Sequence, residues 1–317
     1  MRDKLILDVD TGTDDAIALM LAALHPDLEL VAATTVNGNA EVEFCTDNTL
    51  RVFDHIGVSI PVYQGMAHPM VRSDFPVPRG AQSREGSIHG RHLDIPPARS
   101  VKESRHAVAF LIETFMSSNR DITLVAVGPL SNVAMALAME PRLAEAIPEI
   151  IIMGGGHEVG NATPSAEFNI WADPEAARAV MNSGVRKLTL VPLDATHRAL
   201  VSYEDCQRLR ALGTPAGEAC AIFTERRIRA YDESQPMDRL GAAPVHDALC
   251  VAAIIDRSVI STRRVNVDVE TCGELTLGRT VIDTHQRSGR TPNVDVAFDA
   301  DERKFVGLLL ETFAVRR

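Results

Sequence analysis

Apolar residues along this chain fall into short unbroken runs that alternate with longer segments of helical periodicity. Leu5-Ile6-Leu7 is the first run, of the kind that forms a buried strand. Ala16 to Leu24 follows and is apolar on nearly every side, which marks a buried helix. The same reading predicts strands over Leu28 to Val36, Pro61 to Tyr63, Ile122 to Val127, Glu149 to Met153 and Lys187 to Pro192. Helices are predicted between them, over Ala40 to His55, Glu103 to Ser117, Val133 to Met139 and Pro174 to Ser183, with Ser131 as a cap. Two further helices fill Ser202 to Tyr231, and an apolar one runs from Ala248 to Ile255. Strands near Val265 to Val269, Leu275 to Ile282 and Val294 to Phe298 precede a closing helix, Asp301 to Val315. Repeated strand–helix units predict an α/β fold: a single domain over residues 1–317, built on an open, mostly parallel, Rossmann-like sheet flanked by helices. Periodicity stops between Gly65 and Ser100, and a loop of that length in a compact domain is usually functional.

The first strand–helix unit carries the chemistry. Four acids, Asp8, Asp10, Asp14 and Asp15, arrive within eight residues around the turn Thr11-Gly12-Thr13. Alternation along the strand sends Asp8 and Asp10 to one face. Thr13 reads as the N-cap, which puts Asp14 and Asp15 in the first helical turn at the positive end of the dipole. Asp10, Asp14 and Asp15 can then converge at the carboxyl end of the strand, where open α/β sheets bind ligands. Buried carboxylates that close together need a partner, and a hard divalent cation with oxygen ligands is the natural one. The triple glycine 154–156 allows backbone to approach a ligand closely. No phosphate loop or dinucleotide-binding glycine fingerprint is present.

Charge and composition narrow the partners. The net charge of −11 disfavours nucleic acid or an anionic membrane surface. No apolar run is long enough for a membrane span, and no signal peptide is expected. Five scattered cysteines, without a C-x-x-C pair, point to reduced thiols in a cytoplasm.

Laid side by side, six blocks carry a resemblance: D-V-D-T-G-T-D-D at 8–15, V-N-G-N at 36–39, V-G-P-L-S-N at 127–132, M-G-G at 153–155, the long G-N-A-T-P-S-A-E-F-N-I-W-A-D-P-E-A at 160–176, and A-P-V-H-D at 243–247. In these the chain resembles the inosine-uridine-preferring nucleoside hydrolase family. The resemblance implies Ca²⁺-dependent cleavage of the N-glycosidic bond of ribonucleosides, with ribose and free base as products. By motif, Asp10, Asp15 and Asp247 would hold the calcium with side-chain oxygens, and Val127 with its carbonyl. Asp10 would take the proton from the attacking water. Asp14 and Asn169 would grip the 2′- and 3′-hydroxyls with Asn39 close by, Asn161 and Glu167 the 5′-hydroxyl, and Met153 would lie against the sugar. His246 would help the departing base accept a proton. His89 and Tyr231 would contact the base. Homodimers or homotetramers, and a role in nucleoside salvage, are usual in the family.

The departures lie around the base. Family members of the pyrimidine- and inosine-cleaving type carry a glycine-rich H-G-x-x-G-L-D-G loop. Here the text is His89-Gly90-Arg91-His92-Leu93-Asp94-Ile95-Pro96, so the flap over residues 86–96 is altered. His246 favours the pyrimidine or nonspecific branch over the purine branch, which tends to stack on tryptophan. Two other readings compete. Asp8-Val9-Asp10-Thr11 mimics the acid pair of haloacid-dehalogenase-type phosphatases, with Asp8 as nucleophile. Alternatively, the chain binds nucleosides with little turnover.

Overall fold

The computed structural model describes residues 2–72 and 88–315, so Gly86 and Ser87 of the altered flap lie outside the described residues. The chain begins with β1 (Asp3–Val9), α1 (Thr13–Leu24), β2 (Leu28–Thr35), α2 (Val42–His55) and β3 (Val62–Gln64). It continues with α3 (Ala107–Ser117), β4 (Ile122–Ala126), α4 (Ser131–Met139), α5 (Leu143–Ala146) and β5 (Ile150–Met153). Then come α6 (Phe168–Ala172), α7 (Pro174–Met181), β6 (Leu188–Val191), α8 (Leu193–Thr196), β7 (Leu200–Ser202), α9 (Tyr203–Ala211) and α10 (Pro215–Ser234). The last elements are β8 (Ala242–Pro244), α11 (His246–Ile255), β9 (Ile260–Val269), β10 (Thr280–Asp283), β11 (Val294–Ala300) and α12 (Glu302–Phe313).

Among the described residues nine strands form one sheet in the order β10-β9-β11-β6-β5-β4-β1-β2-β3. From β11 to β3 every pairing is parallel, and β9 runs antiparallel to both of its neighbours. The order β3-β2-β1-β4-β5-β6 is that of a doubly wound sheet. The chain winds outward from β1 through β2 to β3, then returns to the other side of β1 with β4. That reversal opens a crevice beyond the carboxyl ends of β1 and β4. Alternation in β1 feeds both faces of the sheet. Leu5, Leu7 and Val9 enter a core shared with α1, α10 and α11, while Ile6 enters one shared with α3, α4 and α7.

Local chemistry moved several boundaries from their expected places. Thr13 is the first residue of α1, not its cap: Gly12 takes that position, and its N–H donates to the Asp15 carboxylate at 2.9 Å. Leu130 likewise precedes α4, and the Ser131 hydroxyl instead donates to Asp173 at 2.6 Å. The helix expected from Glu103 starts at Ala107, where the His106 ring accepts the Val108 N–H. The strand expected from Leu275 shrinks to Thr280–Asp283, because the chain turns through Gly278 at φ +79° and leaves Leu275 exposed. The small antiparallel pair β7–β8 was not foreseen, since three residues are too few to show alternation.

Asn132, at the start of α4, ties the crevice together. Its Nδ2 donates to Asp8 Oδ1 at 2.7 Å and to the Thr35 carbonyl at 3.0 Å, and its Oδ1 accepts from the Met66 N–H at 2.8 Å. Replacing it would leave the Met66 N–H without its acceptor and would take one of two donors from both Asp8 Oδ1 and the Thr35 carbonyl. Asn132→Ala is expected to lower the unfolding free energy by about 2–3 kcal/mol, read from the midpoint of urea unfolding.

Candidate active site

The turn between β1 and α1 concentrates acids because backbone donors hold them. Asp15 accepts from the Asp10 N–H at 3.1 Å and the Gly12 N–H at 2.9 Å, with the Asn39 side-chain amide at 3.3 Å. Asp10 Oδ2 accepts from the Asn39 N–H at 2.7 Å. Two glycines make room for the Asp10 carboxylate. A Cβ on Gly38 would stand 2.0 Å from Oδ2, and one on Gly128 would stand 2.7 Å from Oδ1. Asp10 Oδ1 itself is buried and accepts no hydrogen bond among the described residues. Asp247, on the first turn of α11, completes the group: one oxygen each from Asp14, Asp15 and Asp247 lie within 4.8 Å of one another.

Burial drives the electrostatics. It holds Asp10 and Asp247 well above the ordinary carboxylate range, reinforced for Asp10 by Asp15 and for Asp247 by Asp14. Asp15 is pushed up to about 7 by burial and by Asp14. Arg227 of α10 brings positive charge: it is itself buried, and its Nη1 lies 2.9 Å from Asp14 Oδ1. Four carboxyl groups against one guanidinium crowd together more acidic oxygens than the site can ionise without a further cation. All-oxygen donors, crowded and partly unpartnered, fit a hard divalent cation.

Above the acids lies a cavity of about 260 Å³. Of the residues singled out in the sequence, Asp14, Asn39, His89, Val127, Met153, Asn161, Glu167, Asn169, Tyr231, His246 and Asp247 line it, and Asp10 and Asp15 do not. Asp10, expected to be both ligand and base, thus stands outside the close carboxylate trio, and Asp14 stands within it. Asn169 Nδ2 donates to the Val127 carbonyl at 2.7 Å and to the Met153 carbonyl at 3.3 Å, fixing its amide across the ends of β4 and β5. Glu167 caps α6: it accepts from the N–H groups of Gly155, Asn169 and Ile170, and burial pushes it up to about 7. The Asn161 side-chain oxygen Oδ1 accepts from the Phe168 N–H at 2.8 Å.

The opposite wall comes from α10, α11 and the flap. Tyr231 Oη lies 2.7 Å from His246 Nε2, and His246 Nδ1 lies 2.7 Å from Thr196 Oγ1. Burial, with Arg227 nearby, keeps His246 well below the ordinary imidazole range, and burial lowers His89 to about 4. His89 Nδ1 accepts from the Thr13 N–H at 3.2 Å. Asn48 clamps the flap from behind, donating to the Arg91 carbonyl and accepting from the Leu93 N–H. Sequence reasoning missed Arg227 and Gln235, although Arg227, Tyr231 and Gln235 recur at a four-residue spacing that marks one helical face.

The sequence matches the family described as inosine-uridine preferring nucleoside hydrolase over residues 5–307. The chain belongs to this family. It is 40% identical over 314 residues to the pyrimidine-specific ribonucleoside hydrolase RihB of Escherichia coli strain SE11, covering 98% of this chain and 96% of that protein. Its structure matches the purine-preferring ribonucleoside hydrolase from Gardnerella vaginalis with a TM-score of 0.88 and 31% identity, over 98% of each chain. A plant nucleoside hydrolase, PpNRh1, matches with a TM-score of 0.90 and 27% identity over 100% of both chains. This nucleoside hydrolase is therefore an enzyme of N-glycosidic bond hydrolysis. The phosphatase reading fails on geometry as well. Asp8 is wholly buried off the cavity, with Oδ1 accepting from Thr34 at 2.6 Å and from Asn132, so it cannot serve as a nucleophile. Among the described residues no helix is long and apolar enough to cross a membrane.

Two outcomes follow from the buried acids. Gly38→Ala is expected to drive the Asp10 carboxylate from its place and cut activity about 100-fold, read as kcat/KM in a folded variant. Burial raises Asp8 to about 6, and Asp15 and Glu167 to about 7, above their unfolded values. Below about pH 6.5 the lowered His89 and His246 oppose these carboxyls, but above it the unfolded histidines are neutral, the native state binds more protons than the unfolded chain, and stability falls as pH rises through about pH 7. Urea unfolding in excess chelator is expected to show that fall. A divalent cation is expected to restore stability at the upper end, and a rise with pH in chelator over that same range would contradict the assignment.

Proposed function

We propose that this enzyme is a calcium-dependent ribonucleoside hydrolase with a preference for pyrimidine bases. The observation that carries the reading is the carboxylate cluster set beneath a cavity small enough for one nucleoside. Glycosidic cleavage makes the sugar cationic, and fixed carboxylates beside it stabilise that charge. Calcium, held by Asp10, Asp15, Asp247 and the Val127 carbonyl, would supply a charge that acidifies water and anchors the ribose hydroxyls.

The chain's own residues do the rest. Asp10 keeps Oδ1 free to accept a proton from the attacking water, while the Asn39 N–H steadies Oδ2. Asn169 commits its Nδ2 to two carbonyls, which leaves Oδ1 as the acceptor for a ribose hydroxyl. Asp14 accepts from another hydroxyl, with Asn161 and Glu167 toward the 5′ end and Met153 against the ring. Tyr231, His246 and His89 stand on the side of the base. Support for pyrimidines comes from the 40% identity to a pyrimidine-specific relative and from the walls of the cavity. Trp171, the only tryptophan, does not line the cavity, so stacking of a purine on indole is not available. Five unpaired cysteines, four of them buried, support a reducing, cytoplasmic setting and with it nucleoside salvage. A homodimer or homotetramer accords with the family.

Base release from a panel of ribonucleosides tests the proposal. Uridine or cytidine is expected to exceed inosine about tenfold or more in kcat/KM, and 2′-deoxyuridine to fall about 10⁴-fold below uridine. Tight nucleoside binding by calorimetry, with intact substrate recovered afterwards, would instead mark a binding protein. Asp10→Asn is expected to lower kcat about 10²–10⁴-fold with the fold intact. Exhaustive chelation is expected to abolish activity and Ca²⁺ to restore it.

A further inference from the structure

Arg227 is the largest fully buried side chain among the described residues, and it borders the cavity. Most of its donors are committed. Nε donates to the Pro244 carbonyl at 2.9 Å, and Nη1 reaches both Thr13 Oγ1 at 3.2 Å and Asp14 Oδ1 at 2.9 Å. The guanidinium carbon lies 5.7 Å from the centre of the Tyr231 ring. No hydrogen bond is made by Nη2 among the described residues, so two N–H donors of a buried cation remain for whatever fills the cavity. A buried charge with spare donors is costly unless an acceptor arrives.

The imidazole on the same wall is differently placed. Both nitrogens of His246 are engaged inside the protein, by Tyr231 Oη and by Thr196 Oγ1. A proton on that ring is committed to a neighbour, while Arg227 keeps its positive charge at every working pH.

We infer that the Arg227 guanidinium receives the negative charge of the departing base, and so favours bases that leave as anions with an oxygen beside the broken bond, as uracil does. The inference rests on the hydrolase reading of this cavity. As C1′–N1 breaks, the electron pair stays on N1 and spreads onto the neighbouring carbonyl oxygen, which accepts from Nη2. The water oxygen bonds to C1′ and its proton passes to Asp10. Asp10 later returns that proton to solvent, from which the base takes one, so the sum is nucleoside plus water to ribose plus neutral base. The guanidinium gains and loses no proton.

The test compares two substrates that share the ribose: uridine, and 4-nitrophenyl β-D-ribofuranoside, whose phenolate is stable unaided. Arg227→Gln is expected to lower kcat on uridine about 10²–10³-fold, the usual effect of removing a donor to developing negative charge. Its loss on the nitrophenyl riboside is expected to be at least about tenfold smaller. Equal losses on both would overturn the inference, because Arg227 would then act through Asp14 and the ribose. No loss on uridine would overturn it too. Arg227→Lys keeps the charge without the planar fork, so it is expected to fold, to lose less, and to show the same asymmetry between substrates. Thermal melting by circular dichroism verifies both variants. Wild-type enzyme that cleaves neither compound would sink the hydrolase reading itself.

Discussion

Everything in this molecule is arranged around anionic oxygen atoms kept out of water. Asp10, Asp14, Asp15 and Asp247 are each at least about nineteen parts in twenty buried, and burial, then the neighbouring acids, hold Asp10, Asp15 and Asp247 above the ordinary carboxylate range. Such a group is unfavourable on its own. The fold tolerates it because a doubly wound sheet reverses direction between β1 and β4, which leaves a crevice where backbone N–H groups of the β1–α1 turn point at the acids. Arg227 offsets one charge from the far wall. What remains is a concave, electron-rich surface suited to a divalent cation and to a sugar that becomes positive as its bond breaks.

The surrounding packing serves rigidity at that surface. α1 is buried along almost its whole length, so the acids in its first turn cannot drift with a mobile helix. Asn132 locks the ends of β1 and β2 to α4, and Asn169 locks the ends of β4 and β5 to α6. Glycines 38 and 128 are needed because a side chain at either place would collide with Asp10. Catalytic groups placed on strand ends and first helical turns hold position better than groups on free loops.

Much of this was legible in the sequence, for a physical reason. Buried parallel strands read as short apolar runs and buried helices as all-round apolar segments, and both signals were strong here. The acids at 8–15 announced the site, since crowded carboxylates beside a buried helix have few other uses. Legibility failed where a residue's role depends on a partner distant in sequence. Asp8 looked like part of the acid group, yet Thr34 and Asn132 hold it away from the cavity. Glu167 was expected to hold the 5′-hydroxyl, and it also caps a five-residue helix too short to show a period. Arg227 lies 213 residues from Asp14 along the chain, so nothing local revealed the pair. A four-residue spacing on α10 was the available clue, and it says which residues share a face but not what that face meets.

The account stands on the claim that the carboxylate group holds a cation together with the sugar. Crystals soaked in calcium and a cationic ribose mimic test it most directly. The expected density is one strong spherical peak held by Asp10, Asp15, Asp247 and the Val127 carbonyl, with oxygen ligands at about 2.3–2.6 Å and the mimic's hydroxyls among them. Full occupancy of the mimic over an acid cluster holding only water, or an empty cavity at saturating concentrations of both, would contradict it.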